Sequence, residues 1–415
     1  MQKVWSRTKR NLANIKLTDS SRLLLILLAS WLVVFYINET AVPYWAAQRC
    51  HWPTSTQSTS NHQTTTRILL IADPQLIDNH TYPGRNKLLL RLSQHTVDQY
   101  LKRNYQALLS TLQPSHILFV GDLLDNGRAA SDEYFQHEVA RFRSIFPQRP
   151  NMYTNVPGNH DIGFGDLINT EIRDRFADTF GEPNFSVEIN GVDIVMLDTV
   201  SLSSSQEGIN IRAHRFLQQL PKKTIPRILL SHVPLSRDVN LSCGPQRERG
   251  KFDVFGRGYQ YQNSLTPQIS SLVMESLQPD LIFSGDDHDY CDVVHESGVR
   301  EITVKSISMA MGIWYPAVQL LTYTTDGKEL NYHTDICYLQ TPYVNIAVYI
   351  GMAVVCAATI LVSNLRLKLN SAQILPLNNY KVNSVFQRGF VKVCVRECAV
   401  VGVGAILIYR FLIAR

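Results

Sequence analysis

"HILFVGDLLDNGR" (116–128) decides how this 415-residue chain is read. It opens as an apolar run of strand length, then changes to Gly121-Asp122, Asp125 and Gly127-Arg128 within eight residues. An acid after a strand is ordinarily a turn residue. Four other strand-like runs end the same way, however. RILLIAD (67–73) delivers Asp73 and then Gln75, and NMYTNVPGN (151–159) delivers Asn159, His160 and Asp161. RILLSHVP (227–234) delivers His232, and LIFSGDD (281–287) delivers Asp286 and His288.

In "LIFSGDDHDY" (281–290), Asp286, Asp287 and Asp289 crowd round one histidine. They would repel one another unless a cation or strong donors compensated them. In open α/β sheets ligands gather where strand ends deliver their loops. Five strand ends bearing carboxylate, amide or imidazole groups therefore predict a cation centre. Helix-period stretches at 87–112 and 133–146 separate the strands, and Asn190-Gly191, Ser297-Gly298 and Asp326-Gly327 signal hairpins. The fold class is α/β, with a mixed sheet or a pair of sheets.

The GDLLDNGR and GNHD segments, with the aspartate before them and the histidines after, resemble the calcineurin-like metallophosphoesterases. The resemblance covers about residues 67–290 and implies a four-layer double β-sandwich flanked by helices, with two divalent cations at the strand ends. It further implies that Asp122 bridges the cations. Asp73, Gln75 and His288 would complete one site, and Asn159, His232 and Asp286 the other. His160 takes the place of the acid that protonates the leaving oxygen, with Asp161 orienting it and Asp125 and Arg128 behind. Asp287 and Asp289 are expected to stay off the metal. Gln75 and Asp286 stand where the family pattern has histidine. Exchanging nitrogen for oxygen donors favours Mn²⁺, with Mg²⁺ or Zn²⁺ as substitutes.

Two flanks set the topology. Leu23–Ile37 is uncharged and apolar, and an uncleaved anchor is expected over 23–42; Tyr343–Val362 is a 20-residue uncharged span, and 398–413 a third apolar segment holding Arg410. Residues 1–22 and 363–397 each carry six Lys/Arg against one acid, the pattern of cytosolic segments. Residues 38–362 hold 26 basic and 33 acidic side chains, a net charge of −7, so the chain's excess of base lies in its flanks and is no nucleic-acid footprint. Residues 48–66 read as a Ser/Thr-rich tether and 67–340 as the luminal domain. Cys50, Cys243, Cys291 and Cys337 fall in that domain and allow two disulfides, in three connectivities. Sequons at Asn79, Asn184 and Asn240 agree with an oxidising, glycosylating compartment, while Asn38 lies too near the membrane for use.

Gln75, Asp286 and the flanking helices narrow the resemblance to the eukaryotic membrane phosphoesterases that remodel GPI anchors. ADPQL (72–76), SCGP (242–245) and GDDHDYC (285–291) resemble the fungal members. That implies a phosphodiesterase of the endoplasmic reticulum or Golgi membrane, removing ethanolamine phosphate from an anchor mannose. Its partners would be GPI-anchored proteins and the cargo-receptor machinery. Residues 237–264 form a long insertion in which Arg247, Arg249 and Arg257, interleaved with Tyr259 and Tyr261, could grip phosphate and glycan; the alternative is a solvated loop. A Cys243–Cys291 disulfide would pin that loop beside the centre, and Cys50–Cys337 would staple the membrane-proximal ends. MAMGIW (309–314) is expected to be a core strand rather than a lipid-facing segment. Two other functions stay open: a luminal phosphatase or nucleotide phosphoesterase on soluble substrates, and a non-catalytic metal-binding cargo escort.

Overall fold

The computed structural model describes residues 19–54, 65–373 and 388–413. The basic tail up to residue 18, most of the tether and the middle of the basic loop lie outside the described residues. The chain divides into two units, Pro43–Pro342 and the pair of flanks Met1–Val42 with Tyr343–Arg415.

In the larger unit thirteen strands are described. β1 (Thr66–Ile71), β2 (His116–Phe119) and β3 (Met152–Tyr153) precede β4 (Phe185–Ile189), β5 (Val192–Leu197) and β6 (Arg227–Ser231). β7 (Arg257–Gly258), β8 (Tyr261–Gln262), β9 (Leu281–Ser284) and β10 (Cys291–Val294) follow. β11 (Arg300–Thr303), β12 (Ala317–Thr325) and β13 (Leu330–Tyr338) complete the set. They form a five-stranded sheet in the order β13-β12-β1-β2-β3 and a six-stranded sheet in the order β10-β11-β9-β6-β5-β4. β7 and β8 pair separately. Within the first sheet β1, β2 and β3 are parallel, and within the second β5, β6, β9 and β11 are. The three hairpin signals fall where expected, between β4 and β5, β10 and β11, and β12 and β13.

Side chains alternate along a strand. Ile68, Leu70 and Leu118 share one buried cluster with Ile194, Met196, Ile228, Leu230, Leu281 and Phe283, which is the layer between the sheets. The neighbours on the same strands, Leu69, Ile71, Phe119, Val195, Leu229 and Ile282, pack instead with helix residues such as Leu101, Leu108, Phe142, Leu217 and Val273. Strands apolar on both faces are what a sheet covered on both sides requires. Helices Lys87–Leu112, Asp132–Ile145, Glu207–Gln219 and Pro267–Leu277 supply the outer cover.

Cys50–Cys337 and Cys243–Cys291 are the disulfides. The first, with Trp52 Nε1 donating to the Leu112 carbonyl at 2.7 Å, pins the start of the expected tether onto the domain. The expectation for 309–314 was wrong: the segment is a turn, in which Ile313 and Met311 are buried while Trp314 is exposed. Met311 and Ile313 face inward in the alternation a strand would show, but Gly312 between them takes left-handed backbone (φ 69°), which turns the chain out of an extended run.

In the flanking unit two helical segments among the described residues are long and apolar enough to cross a membrane, Asp19–Gln48 and Pro342–Leu369. The third expected segment begins within helix Arg388–Ile408 and lies outside those two. Leu27, Trp31, Phe35, Cys356, Ile360, Val401 and Ala405 form this unit's own core.

Candidate metal centre

Because β1, β2 and β3 run parallel, and so do β6 and β9, the loops after them open on common edges. Asp73, Asp122 and His232 each present a ligand atom within 4.8 Å of the others, and all three are buried. Five expected ligands hold left-handed backbone: Asp73 (φ 48°), Gln75 (34°), Asp122 (49°), Asp286 (65°) and His288 (64°). Such φ values cost non-glycine residues about 1–2 kcal/mol each, so strain is concentrated where the strand ends turn sharply to aim these side chains.

The motif glycines have a steric reason. A Cβ on Gly158 would sit 1.9 Å from Asp122 Oδ1, and one on Gly121 would sit 2.2 Å from His232 Nδ1. Gly121 also has φ 91°. In both cases the centre closes only because no side chain intervenes.

His232 shows how well the donors fit a cation. Its Nδ1 lies 2.8 Å from the Val120 carbonyl oxygen, the geometry of N–H donation to a backbone acceptor. Such a bond turns the Nε2 lone pair outward. Nε2 then faces Asn159 Oδ1 at 3.4 Å, Asp122 Oδ1 at 3.4 Å and Asp286 Oδ1 at 3.5 Å. Four electron-rich atoms thus point at one another, an arrangement that a positive charge resolves. Burial opposes charge on His232, yet the Asp122 and Asp286 carboxylates overcome it and hold its pKa well above the usual histidine value. The same carboxylates would draw a cation. Asp73 Oδ2 and Gln75 Oε1 are buried with no hydrogen-bond partner, as atoms reserved for a metal would be. Burial raises Asp73 well above the usual carboxylate range, and burial pushes His288 down to about 4, leaving a neutral imidazole fit to ligate.

His160 is held differently from what the sequence implied. Its backbone N–H donates to Asp122 Oδ1 at 2.9 Å, and its ring Nδ1 approaches the Asp125 carbonyl at 2.6 Å and the Asp125 carboxylate at 3.2 Å. Gln75 Nε2 donates to Asp125 Oδ1 at 2.8 Å and lies 3.2 Å from both ring nitrogens, while Thr81 Oγ1 bonds the other Asp125 oxygen. Burial works against protonating His160, but Asp122 and then Asp125 lift its pKa to about 9. Asp161 does not orient this ring. Its oxygens accept backbone N–H groups from Leu123 (3.1 Å), Leu124 (2.9 Å) and Gly158 (2.9 Å), clamping the loop after β2 to the loop after β3. The reason is direction: Asp161 is the third residue of a short helix, Asn159–Ile162, and reaches back to that helix's cap, Gly158. Burial, then the Asp122 charge, push its carboxyl up to about 7 against those three amides.

A cleft of ≈ 260 Å³ opens over the centre, lined by Asp122, Asn159, His160, Asp286 and His288, with Arg128, Arg249, Tyr259 and Tyr261. Arg128 also donates to the Asn159 carbonyl at 3.0 Å. Of the loop arginines expected to grip substrate, Arg249 lines the cleft and Arg257 does not. Arg247 is taken up elsewhere: buried, it is forked onto Asp287 at 2.5 and 3.3 Å. A further buried charge network was not legible in the sequence. Lys305 bridges Glu248 (2.5 Å) and Asp289 (3.0 Å), and Asp289 also accepts from the Glu248 and Arg249 amides. Its members lie up to 57 residues apart, beyond any local pattern. Asn240 is exposed; Asn184 is half-buried, its side chain accepting from the Asp198 amide.

The calcineurin-like phosphoesterase model matches residues 66–290. Cell division control protein 1 of Saccharomyces cerevisiae is 36% identical over 357 residues, covering 80% of this chain and 72% of that protein. Metallophosphoesterase 1 of Pongo abelii is 28% identical, over 81% of this chain and 88% of its own. A dimetal phosphatase from Danio rerio aligns with 64% of this chain and 98% of its own at 13% identity and a TM-score of 0.36. Chain-long kinship to the yeast protein and a family match spanning every strand-end motif lead to one conclusion: this chain belongs to the calcineurin-like phosphoesterase family.

Proposed function

We propose that this phosphoesterase is a dimetal phosphodiesterase whose domain lies on the luminal side of the endoplasmic reticulum or Golgi membrane. Its substrate would be ethanolamine phosphate on a mannose of the GPI glycan. The observation that carries the reaction class is the buried Asp73, Asp122 and His232 cluster, whose Asp122 lines the same cleft as His160. Kinship to metallophosphoesterase 1 and to the yeast protein supports the narrower substrate, as do two disulfides and two candidate membrane helices.

Asp73, Gln75, Asp122 and His288 would hold one divalent cation, and Asp122, Asn159, His232 and Asp286 the other. Bound there, two such cations would supply positive charge for an anionic phosphodiester and lower the pKa of a water. His160, with Nδ1 tied to Asp125, is left to deliver a proton from Nε2 to the leaving oxygen. Arg128 and Arg249 add positive charge along the cleft wall. The donor set is rich in oxygen and favours Mn²⁺.

The test uses the full chain, chelated and reloaded with Mn²⁺, on GPI glycan bearing ethanolamine phosphate, on a soluble phosphodiester and on a nucleotide monoester. Release of ethanolamine phosphate, lost in His160→Ala, is the expected result. Turnover of the monoester alone would assign a soluble-substrate phosphatase. Metal binding with no turnover of any substrate would assign an escort.

A further inference from the structure

The 309–315 turn is an oddity of the larger unit. Met311 and Ile313 anchor it in the core, yet Trp314 is 62% and Tyr315 49% exposed. Tyr315 meets Tyr338 edge-on, with ring centroids 6.4 Å apart, and Tyr338 is itself 38% exposed. Single exposed aromatics need no explanation. Three adjoining ones do.

Their place in the chain supplies it. Tyr338 follows Cys337 and stands four residues before Pro342, the first residue of an apolar span. Four residues reach at most about 14 Å. Cys337 is bonded to Cys50, two residues beyond the end of the other apolar span, Asp19–Gln48. Chain connectivity alone therefore ties this aromatic cluster to the points where both spans leave the domain. Tryptophan and tyrosine are the residues that favour the layer between hydrocarbon and water, with the ring in the apolar side and the polar atom in the wet one.

The turn is also stiffly joined to the cleft. Glu248 accepts from the Trp314 and Tyr315 amides at 2.6 and 3.0 Å, and the buried Lys305 ties Glu248 to Asp289. Arg249, on the cleft wall, donates to the Met311 carbonyl at 2.7 Å and to the Asp287 carbonyl at 3.3 Å. One guanidinium thus spans from the aromatic turn to the loop that carries Asp286 and His288.

We infer that Trp314, Tyr315 and Tyr338 form a footing that seats in the headgroup layer of the bilayer entered by the chain's own helices. Through Arg249 and Glu248 the footing holds the cleft facing a phosphodiester carried on a lipid. The inference rests on those helices spanning the membrane.

The test reconstitutes the full chain in phosphatidylcholine vesicles whose lipids carry bromine either near the headgroup or near the acyl end. The emission lost on Trp314→Phe is the contribution of Trp314. That contribution is expected to be quenched more by the shallow bromine than by the deep one. No quenching of Trp314 while Trp31 of the first span is quenched would overturn the footing. No quenching of any tryptophan would refute the spanning reading and the footing together, a different pattern. A response of Trp314 to soluble mannose glycan without quenching would assign the turn to sugar and overturn the lipid role. In a second arm, Trp314→Ala with Tyr315→Ala should lower turnover of a vesicle-borne phosphodiester about tenfold. Soluble bis(p-nitrophenyl) phosphate should be turned over within about twofold of the parent rate. Equal losses on both would mark a packing role and refute the inference. The quenching readout needs no catalysis, so a failed phosphodiesterase assignment leaves it decisive.

Discussion

Replacing Asp161 with asparagine separates a clamp from a ring orienter. The carboxylate accepts two amides at Oδ2 and one at Oδ1, all buried. An asparagine can turn its oxygen to the two-donor side, but its NH₂ then faces the Leu124 N–H. That orphaned donor costs about 1–3 kcal/mol, and turning two charged acceptor bonds into neutral ones costs about 1 kcal/mol each. The sum is about 3–5 kcal/mol. At about 2 °C per kcal/mol for a large domain, the melting midpoint of the detergent-solubilised, metal-free chain should fall by about 6–10 °C at a pH well above 7, where the Asp161 carboxyl is ionised. Because the clamp joins the loops of Asp122 and Asn159, metal affinity should weaken too. Activity at limiting metal should then fall equally for phosphodiesters with good and poor leaving groups. A variant with an unchanged midpoint, and a loss confined to poor leaving groups, would refute this account and restore Asp161 as the partner of His160.

Metal choice follows from Gln75 and Asp286: after chelation Mn²⁺ should restore activity best, Asp286→His should raise Zn²⁺ occupancy measured by elemental analysis, and Asp286→Ala should lose metal. Arg247→Ala should destabilise the chain by about 3–5 kcal/mol by leaving Asp287 buried without its partner, whereas Arg249→Ala should chiefly raise KM; denaturation midpoints and steady-state kinetics distinguish them. In the chelated chain His160 has a folded pKa of about 9, above the ordinary histidine value of 6.5. The stability it contributes is therefore complete below about pH 6.5 and lost as pH rises towards 9. His160→Ala should flatten that limb of the stability profile.

The buried charges round Asp122 and those round Lys305 differ in kind. Around Asp122 the acceptors outnumber the donors, so the charges wait for a cation. Around Lys305, Glu248 and Asp289 donors and acceptors are matched, and the network fixes the insertion against β10 and the 309–315 turn. The Cys243–Cys291 disulfide fastens the same insertion. That double hold explains how a segment with little regular structure can form a lasting cleft wall.

By itself the sequence determined what is local or periodic. Apolar runs of strand length, helix-period stretches and Asn-Gly or Asp-Gly turns depend on neighbours a few residues away, so they could be read along the chain. The strand-end residues were legible for the same reason: each motif is a short string following a strand. Tertiary structure decided everything that depends on which strings meet. Asp161 and Asp125 sit in adjacent motifs, and no spacing says which carboxylate touches His160; the turn of helix Asn159–Ile162 does. Arg247 and Arg249 are two residues apart, yet only Arg249 lines the cleft, because Asp287, 40 residues on, captures Arg247. MAMGIW carries an apolar composition that suits a strand, but composition does not say whether Gly312 will turn the chain. That is set by packing across the chain, where burial and hydrogen bonds over long separations outweigh local preference.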